Sequence, residues 1–164
     1  MKTLIIGITT ALAVSMAPEA TAKDRTPLEA ASGDVWIVER PSRGAHASAV
    51  RDAARIPKRV RPFAECVSAR ESSGSYTARN PTSSAQGRWQ FLDNSWRRGL
   101  GYMVAARLKA HGMPKQAARQ VRKHLHDTPI AAWPGPYQDV GFVAVIASGG
   151  SHHWNGPGCN HLKP

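Results

Sequence analysis

The sequence predicts an α+β domain that is mostly α-helical, with a small or absent β-ribbon and one disulfide. Three observations predict this class. From Pro62 onward, apolar residues recur at helical spacing, and strand alternation is unconvincing except between Tyr76 and Gln90. Residues 137–148 are apolar nearly all round, which is typical of a buried central helix. The chain also contains two cysteines.

Residues 1–22 have the pattern of a secretory signal peptide. Lys2 precedes an apolar run over residues 4–16, and Ala-Thr-Ala at residues 20–22 matches a small-x-small cleavage site. The run is shorter than the roughly 20 apolar residues that a transmembrane helix needs, and no later segment approaches that length. We therefore expect a secreted protein, in the cell wall or outside it, without a transmembrane segment.

Residues 23–61 predict a basic flexible tether. The segment is rich in Ala, Ser, Arg and Pro, and its only apolar cluster is Val35-Trp36-Ile37-Val38. A single cluster cannot bury enough surface to fold alone. Packing of Trp36 on the domain, as a short strand or a patch, is the alternative. The folded domain is expected over residues 62–164.

The helices of that domain are predicted from their periodicity and from start and stop signals. Pro62 suits a first helical turn, the Asp93-Asn94-Ser95 run can cap the next helix, and Gly112 can end it. The third helix has a strongly basic face. The predicted helices cover about residues 62–71, 93–112, 114–125 and 137–148.

Cys66 and Cys159 are expected to pair, because a secreted protein meets an oxidising environment. This disulfide would close most of the domain, a constraint worth about 4 kcal/mol in the chain-entropy model. The alternative is a metal site made of Cys159 with His152, His153 and His161, whose spacing matches no closed zinc pattern. We predict the disulfide, and neither a metal nor a cofactor.

The formal net charge of +11 predicts polyanionic partners. Nucleic acid is one such class. A secreted protein more often meets anionic wall polymers rich in phosphodiesters and carboxylates, or anionic lipid. Charge alone does not choose among these partners.

An acid/base mechanism in this domain has few carboxylates to use. Residues 61–164 contain five acids. They are Glu65, Glu71, Asp93, Asp127 and Asp139. Glu65 is expected to be a solvated helix residue, whereas Glu71 lies at the C-terminal end of its helix, where the macrodipole disfavours negative charge, as suits a general acid.

The context of Glu71 carries a resemblance. Cys66-(x4)-Glu71-Ser-Ser-Gly is followed by Asn80-Pro81, by Gly87-Arg-Trp-Gln-Phe-Leu and by Trp96, and Trp154 then precedes the second cysteine. This pattern resembles the transglycosylase-like domain of secreted actinobacterial proteins, related to the resuscitation-promoting factors. The resemblance covers about residues 62–160. The sequence departs from the family pattern at Ser73, where Gly is usual and where a side chain narrows the allowed backbone angles.

The resemblance implies a lysozyme-like fold and cleavage of the β-1,4 bond between N-acetylmuramic acid and N-acetylglucosamine in peptidoglycan. It implies that Glu71 is the catalytic acid and that Gln90 contacts the substrate. Cleft aromatics are expected at Trp89, the best sugar platform, and at Tyr76, and Trp154 is expected either to pack in the domain or to form part of the cleft wall. Trp96 lies on the apolar face of its helix and is expected to belong to the core. A monomer that binds glycan strands, without a specific nucleic-acid partner, is expected.

The reaction type is predicted from the missing second carboxylate. Ordinary glycosidases use two carboxyl groups, whereas Asp93, the sole candidate near Gln90, is better explained as a helix N-cap. A single Glu71 favours lytic chemistry, which forms an anhydro sugar without water, although the sequence leaves hydrolysis open. The His124-x-His126 and His152-His153 pairs are assigned no catalysis.

Two function classes remain open at this level. The first is a secreted muralytic enzyme. The second is a catalytically inactive, cationic module on the same fold that binds cell wall or nucleic acid. The presence of both Glu71 and Gln90 favours the enzyme.

Overall fold

The computed structural model describes Val38 and residues 40–164. The helices are α1 Ala47–Ala54, α2 Arg61–Ser72, α3 Asp93–Ala110, α4 Lys115–Asp127 and α5 Gly135–Ala147, and the strands are β1 Ala85–Gln86 and β2 Phe91–Leu92. Short 3₁₀ turns lie at Lys58–Val60, Ile130–Ala132, Gly150–Trp154 and Asn160–Leu162. The described part of the chain is mostly helical with a minimal two-stranded sheet, which confirms the predicted class at that level.

Helix α5 is the central helix of the core. Every residue from Val140 to Val145 is buried, so this helix has no solvent face along most of its length. Helices α1 and α3 both pack against it. A side chain at Gly141 would lie only 3.1 Å from Leu100 of α3, so glycine permits this close approach. The prediction of a buried central helix in this region is confirmed.

The described part of residues 23–61 differs from the predicted flexible tether. Helix α1 buries Ala47, Ala49, Val50 and Ala53 in the core that contains α5. These side chains are small and carry little apolar area, so the hydrophobicity of the sequence did not indicate that they are buried. Small side chains also allow neighbouring backbones to approach closely. The Nε of Arg107 on α3 donates a hydrogen bond to the carbonyl of Ala53 at 2.7 Å, which fixes the last turn of α1. Residues 1–37, including the predicted signal peptide and Trp36, lie outside the described residues.

The β-ribbon is the smallest possible antiparallel pair. Ala85 lies opposite Leu92 and Gln86 opposite Phe91. Its turn contains Gly87 at φ 77°, where a side chain would collide with the amide oxygen of Gln138 at 2.2 Å. Glycine is therefore required at this position, both for the backbone angle and for space. The ribbon lies slightly past the predicted stretch, because β2 follows Gln90 rather than preceding it.

The start of α3 differs from the predicted side-chain cap. Asp93 is the first helical residue and makes no capping hydrogen bond. One of its oxygens, Oδ1, instead accepts a hydrogen bond from the backbone N–H of Ile130 at 2.8 Å. Asp93 therefore joins the ribbon end of α3 to the 3₁₀ turn that precedes α5. The interpretation of Asp93 as an N-cap is wrong, because a tertiary partner takes its carboxylate.

Cys66 and Cys159 form the predicted disulfide, with their Cα atoms 5.8 Å apart and a sequence separation of 93. The bond joins α2 to the C-terminal segment. It also removes the thiolate that a metal site with the neighbouring histidines would need. No described helix is both long enough and apolar enough to cross a membrane.

We predict that the Cys66→Ser/Cys159→Ser double variant loses about 4 kcal/mol of unfolding free energy, because the unfolded chain then regains the freedom of a 93-residue separation. Chemical denaturation of both proteins measures this difference. Thiol titration of the unfolded, unreduced wild type should find no free thiol. An unchanged denaturation midpoint, or two free thiols in the wild type, would contradict the structure.

Candidate active site

Glu71 lies in the last turn of α2, as the sequence predicts. The helix stops because Ser73 adopts the left-handed conformation, at φ 52°. The N–H of Gly74 then donates to the carbonyl of Ser68 at 3.1 Å, which satisfies a carbonyl at the helix end. A serine in this conformation is strained, since the side chain crowds the backbone. Ser73 lies two residues after Glu71, and its left-handed conformation ends the helix at that point.

Glu71 and Gln90 line the same cavity, which has a volume of about 130 Å³. The remaining wall is apolar and aromatic, with one imidazole. It consists of Phe91, Leu92, Trp96, His153 and Trp154. These residues come from the end of α2, from the ribbon, from the first turn of α3 and from the 3₁₀ turn before the disulfide. A cavity that combines flat apolar walls with a few convergent polar groups suits a small organic ligand such as a sugar.

Arg70 orients the Glu71 carboxylate. Its Nη2 and Nε donate hydrogen bonds to Oε1 of Glu71 at 2.6 and 3.0 Å. Both side chains keep about a quarter of their surface exposed, at 26% and 27%. Within the described residues, the second oxygen of Glu71, Oε2, accepts no hydrogen bond from the protein. The carboxyl group is thus held by one oxygen and has the other available for a ligand.

Arg70 also connects Glu71 to the opposite wall of the cavity. The same guanidinium donates to the carbonyl of Trp154 at 3.1 Å and to that of Pro157 at 3.4 Å. A single side chain therefore sets the position of the acid and of the aromatic wall together. The sequence gives no signal of this role, because neighbouring Arg and Glu residues on a helix usually point in different directions.

Gln90 has a constrained conformation. Its backbone lies in the left-handed region at φ 50°, which is uncommon for a residue with a side chain. The backbone N–H and the side-chain Nε2 both donate to the carbonyl of Gly87, at 3.2 and 3.0 Å. With Nε2 engaged, the amide oxygen has no partner among the described residues. Such strain, when it occurs beside a cavity, points to a functional role.

Trp89 is not a sugar platform, and this prediction is wrong. Its side chain is fully buried and stacks on Phe142 with ring centroids 3.9 Å apart. The indole N–H donates to Oδ1 of Asp139 at 3.1 Å. The tight turn between the strands points Trp89 inward, whereas Gln90 points to the cavity. The sequence of residues 88–90 is compatible with an open loop, and it does not show that Trp89 points to the core while Gln90 points to the cavity.

Trp96 and Trp154 supply the aromatic wall instead. Trp96 was predicted to be core, but it is only partly buried and lines the cavity, with its ring 6.1 Å from that of Phe91. Trp154 is 4% exposed and also lines the cavity, so it combines the two positions that the sequence left open, packing and cleft wall. Its N–H donates to the carbonyl of Trp89 at 2.8 Å.

Tyr76 does not reach the cavity. Its hydroxyl donates to Oδ2 of Asp139 and accepts a hydrogen bond from Nη1 of Arg88, both at 2.7 Å. Burial raises the pKa of Asp139 above its ordinary value, an effect opposed by Tyr76, Arg88 and Trp89. This hydrogen-bond network holds the turn between β1 and β2 in place. Tyr76 was expected among the cleft aromatics, but it is not one of the residues that line the cavity.

His153, which was assigned no catalysis from the sequence, lines the cavity. Its ring is nearly perpendicular to that of Trp96, with the centroids 4.3 Å apart, and its centroid lies 4.0 Å from that of His152. Burial, and then the neighbouring His152, lower the pKa of His153. A neutral imidazole at neutral pH can donate and accept a hydrogen bond without adding charge. Adjacent histidines gave no signal of which one faces the cavity.

Glu71 is the only carboxylate among the residues that line this cavity. Asp93 is engaged by Ile130, and its other oxygen lies 3.7 Å from Nη2 of Arg97. Asp139 is held by the Tyr76 network. In the part of the chain that the structure describes, no group of three His, Cys, Asp or Glu residues could hold a metal ion. Glu71 is therefore the one carboxyl group placed to exchange a proton with a ligand in this cavity.

No family model, no curated protein and no solved structure matches this chain.

Glycine at position 73 should stabilise the fold. We predict that Ser73→Gly raises the unfolding free energy by about 0.5–1 kcal/mol, because glycine adopts the left-handed conformation without steric cost. Urea denaturation measures the change. Ser75→Gly is the control, since Ser75 is exposed and is not at positive φ, so it should bring no gain. Equal effects of the two changes would show that Ser73 is not strained.

Proposed function

We propose that the protein is a secreted muralytic enzyme that cleaves the β-1,4 bond between N-acetylmuramic acid and N-acetylglucosamine in peptidoglycan. The observation that carries the proposal is the arrangement at Glu71: one carboxyl oxygen is held by Arg70 and the other is available in an aromatic-walled cavity. The motif resemblance to resuscitation-promoting-factor-like transglycosylases, and the lysozyme-like fold it implies, agree with that arrangement. A cell-wall location agrees with the disulfide.

The proposed reaction proceeds in two proton transfers through Glu71. The protonated carboxyl group first gives its proton to the glycosidic oxygen, and the bond from that oxygen to C1 of the muramyl sugar breaks. The resulting carboxylate then takes the proton of the muramyl 6-hydroxyl while that oxygen bonds to C1. The products are a chain ending in a 1,6-anhydro sugar and a chain with a free 4-hydroxyl. Glu71 is returned to its protonated form, and no water is consumed.

The lining of the cavity favours this lytic route over hydrolysis. A retaining hydrolase places a second carboxylate about 5–5.5 Å from the acid, and an inverting one about 6.5–9.5 Å away. The cavity presents no such group besides Glu71. The amide oxygen of Gln90 and the imidazole of His153 are the neutral polar groups that can orient sugar hydroxyl or N-acetyl groups. Trp96 and Trp154 can pack against sugar faces.

We predict that Glu71→Gln lowers the release of soluble muropeptides from purified peptidoglycan at least about 100-fold, since general acid–base catalysis contributes roughly 10²–10⁴. The stability should change by less than about 1 kcal/mol, because the pair with Arg70 is partly exposed. Mass spectrometry of the released fragments measures the rate and shows whether wild-type products end in anhydro sugars.

Glu65→Gln is the matched control for this variant. Glu65 is an exposed acid on the same helix and does not line the cavity, so its loss should leave activity unchanged. A folded Glu71→Gln protein that still cuts would refute the assignment of the acid. Wild-type products that carry only reducing ends would replace the lytic reaction with hydrolysis.

Asp93→Asn separates the one-carboxylate mechanism from the two-carboxylate one. We expect nearly wild-type activity, because an Asn oxygen can still accept the hydrogen bond from the Ile130 N–H. The unfolding free energy should fall by at most about 1 kcal/mol, through the weakened hydrogen bond and the lost charge near Arg97. If activity disappears while stability is unchanged, Asp93 is a second catalytic carboxylate.

The alternative function is binding of cell wall or nucleic acid by a catalytically inactive, cationic module. The observation that favours it is the strongly basic exposed face of α4, which would serve a binding protein without any catalysis. The two functions differ in one measurement. Equal muropeptide release by wild type and Glu71→Gln, at background level, would leave the binding module as the surviving function.

A further inference from the structure

Two adjoining surface concavities form one basic face along α3 and α4. They share Arg122 and Lys123. We call this surface the α3–α4 basic face. Its charged and aromatic members are Arg98 and Tyr102 on α3 and Lys115, Arg119, Arg122, Lys123 and His126 on α4.

The face arises because α4 is strongly two-sided. Its buried side consists of Ala117, Ala118, Val121 and Leu125, which pack towards α3. The two helices lie close together at Gly101 of α3, where an added methyl group would be in van der Waals contact with the carbonyl of Arg122, at 3.7 Å. All the long cationic side chains of α4 are thereby directed away from the core.

The cations of this face are not neutralised by the protein. Within the described residues, Arg98, Lys115, Arg119, Arg122 and Lys123 form no ion pair. Asp127 is the only acid on α4, and it pairs with His126 at 3.1 Å. Like charges three or four residues apart on a helix destabilise it by about 0.2–0.5 kcal/mol per pair. Such a concentration of one charge is suited to an external polyanion.

Tyr102 adds an aromatic surface to this charge. It is 60% exposed, which makes it the most exposed large hydrophobic residue of the described chain. The Arg122 guanidinium lies 4.5 Å from the centre of its ring. The pair orders one cation and leaves much of the ring open to the alkyl face of a sugar or polyol unit.

We propose that the α3–α4 basic face binds a phosphodiester-linked anionic polymer of the cell wall, at a site separate from the Glu71 cavity. No residue of the face lines that cavity. Charge complementarity supplies the attraction, and the disulfide agrees with an oxidising compartment where such polymers occur. Single-stranded nucleic acid fits less well, because its binding sites use several exposed aromatic rings and this face has one.

The test measures the binding of poly(glycerol phosphate) by the full-length protein across a range of salt concentrations. The face variant is Arg119→Gln/Lys123→Gln, and the control is Lys58→Gln/Arg59→Gln. The control removes the same two kinds of charge at exposed positions that line neither concavity. All proteins carry Glu71→Gln when wall fragments are used, so that cutting does not interfere.

We expect the face variant to bind at least about tenfold more weakly near 0.1 M salt, with the slope of log affinity against log salt reduced by roughly 1.4. The control should change affinity less than about twofold. Wall fragments stripped of phosphodiester polymers should lose most of the difference between the two variants. The binding measurements do not require the proposed catalysis, because they are made without cutting. On short uncharged glycan fragments, the face variant with Glu71 intact should cleave at the wild-type rate.

Three results would overturn the proposal. Equal weakening in the face variant and the control would show that only the net charge matters. Unchanged binding in the face variant would exclude the surface. Tighter binding of duplex DNA than of poly(glycerol phosphate) through the same residues, at the same salt concentration, would make nucleic acid the partner.

Discussion

The connection between α2 and the C-terminal segment determines whether the Glu71 cavity exists. The Cys66–Cys159 disulfide makes this connection covalent, and Arg70 repeats it with hydrogen bonds to the carbonyls of Trp154 and Pro157. Glu71 comes from the first of these segments, and His153 and Trp154 come from the second. Because the carboxylate and the aromatic wall lie more than 80 residues apart in sequence, only a long-range constraint can keep them in register.

The side of the cavity that the β-ribbon forms is supported by a buried polar network around Gln138. The amide nitrogen of Gln138 donates to the carbonyls of Tyr76, Ile130 and Trp133, and its oxygen accepts from the N–H of Arg88. This single side chain of α5 joins three loops to the core. Since buried polar groups are costly without partners, the loops that complete Gln138 have little freedom to move independently.

The same network explains the geometry of the ribbon turn. Asp139 binds the hydroxyl of Tyr76 and the indole N–H of Trp89, and Gly87 gives room for Gln138. With Trp89 fixed inward, the next residue, Gln90, is directed to the cavity in a left-handed conformation. The strain at Gln90 is therefore maintained by burial of its neighbour, which is how folded proteins keep unfavourable backbone angles at sites of possible function.

The sequence predicted the features that depend on local pattern or compartment. Helices α2 to α5 have local start signals and apolar periodicity, and the disulfide follows from two cysteines in a chain with a secretory leader pattern. The sequence also predicted that Glu71 and Gln90 belong together, and the structure brings both to one cavity. Helix α1 was missed because alanines bury well but score weakly as hydrophobic, so only tertiary packing reveals them.

Trp89 is buried and Trp96 lines the cavity, which is the reverse of the prediction and has a different cause. Both tryptophans are flanked by polar residues, so neither composition nor spacing shows which ring is buried. The side of the ribbon turn on which Trp89 falls is decided by its stacking on Phe142 of α5. Tyr76 is withdrawn from the cavity by Asp139, an acid 63 residues away. Directions of side chains in a turn are thus set by distant partners that a local pattern does not contain.

The α3–α4 basic face and the Glu71 cavity have no residue in common, and this separation has a physical consequence for the proposed function. The residues that line the cavity include one acid and no lysine or arginine, whereas the α3–α4 basic face carries five cations. A polyanion is therefore attracted to the helical face rather than to Glu71. Electrostatic attraction of exposed charges extends over about 8–10 Å at moderate salt, while proton transfer requires contact. In the proposed mechanism, the surface can thus bind an anionic wall polymer without placing phosphate next to Glu71, where it would repel the carboxylate that the proposed second proton transfer needs.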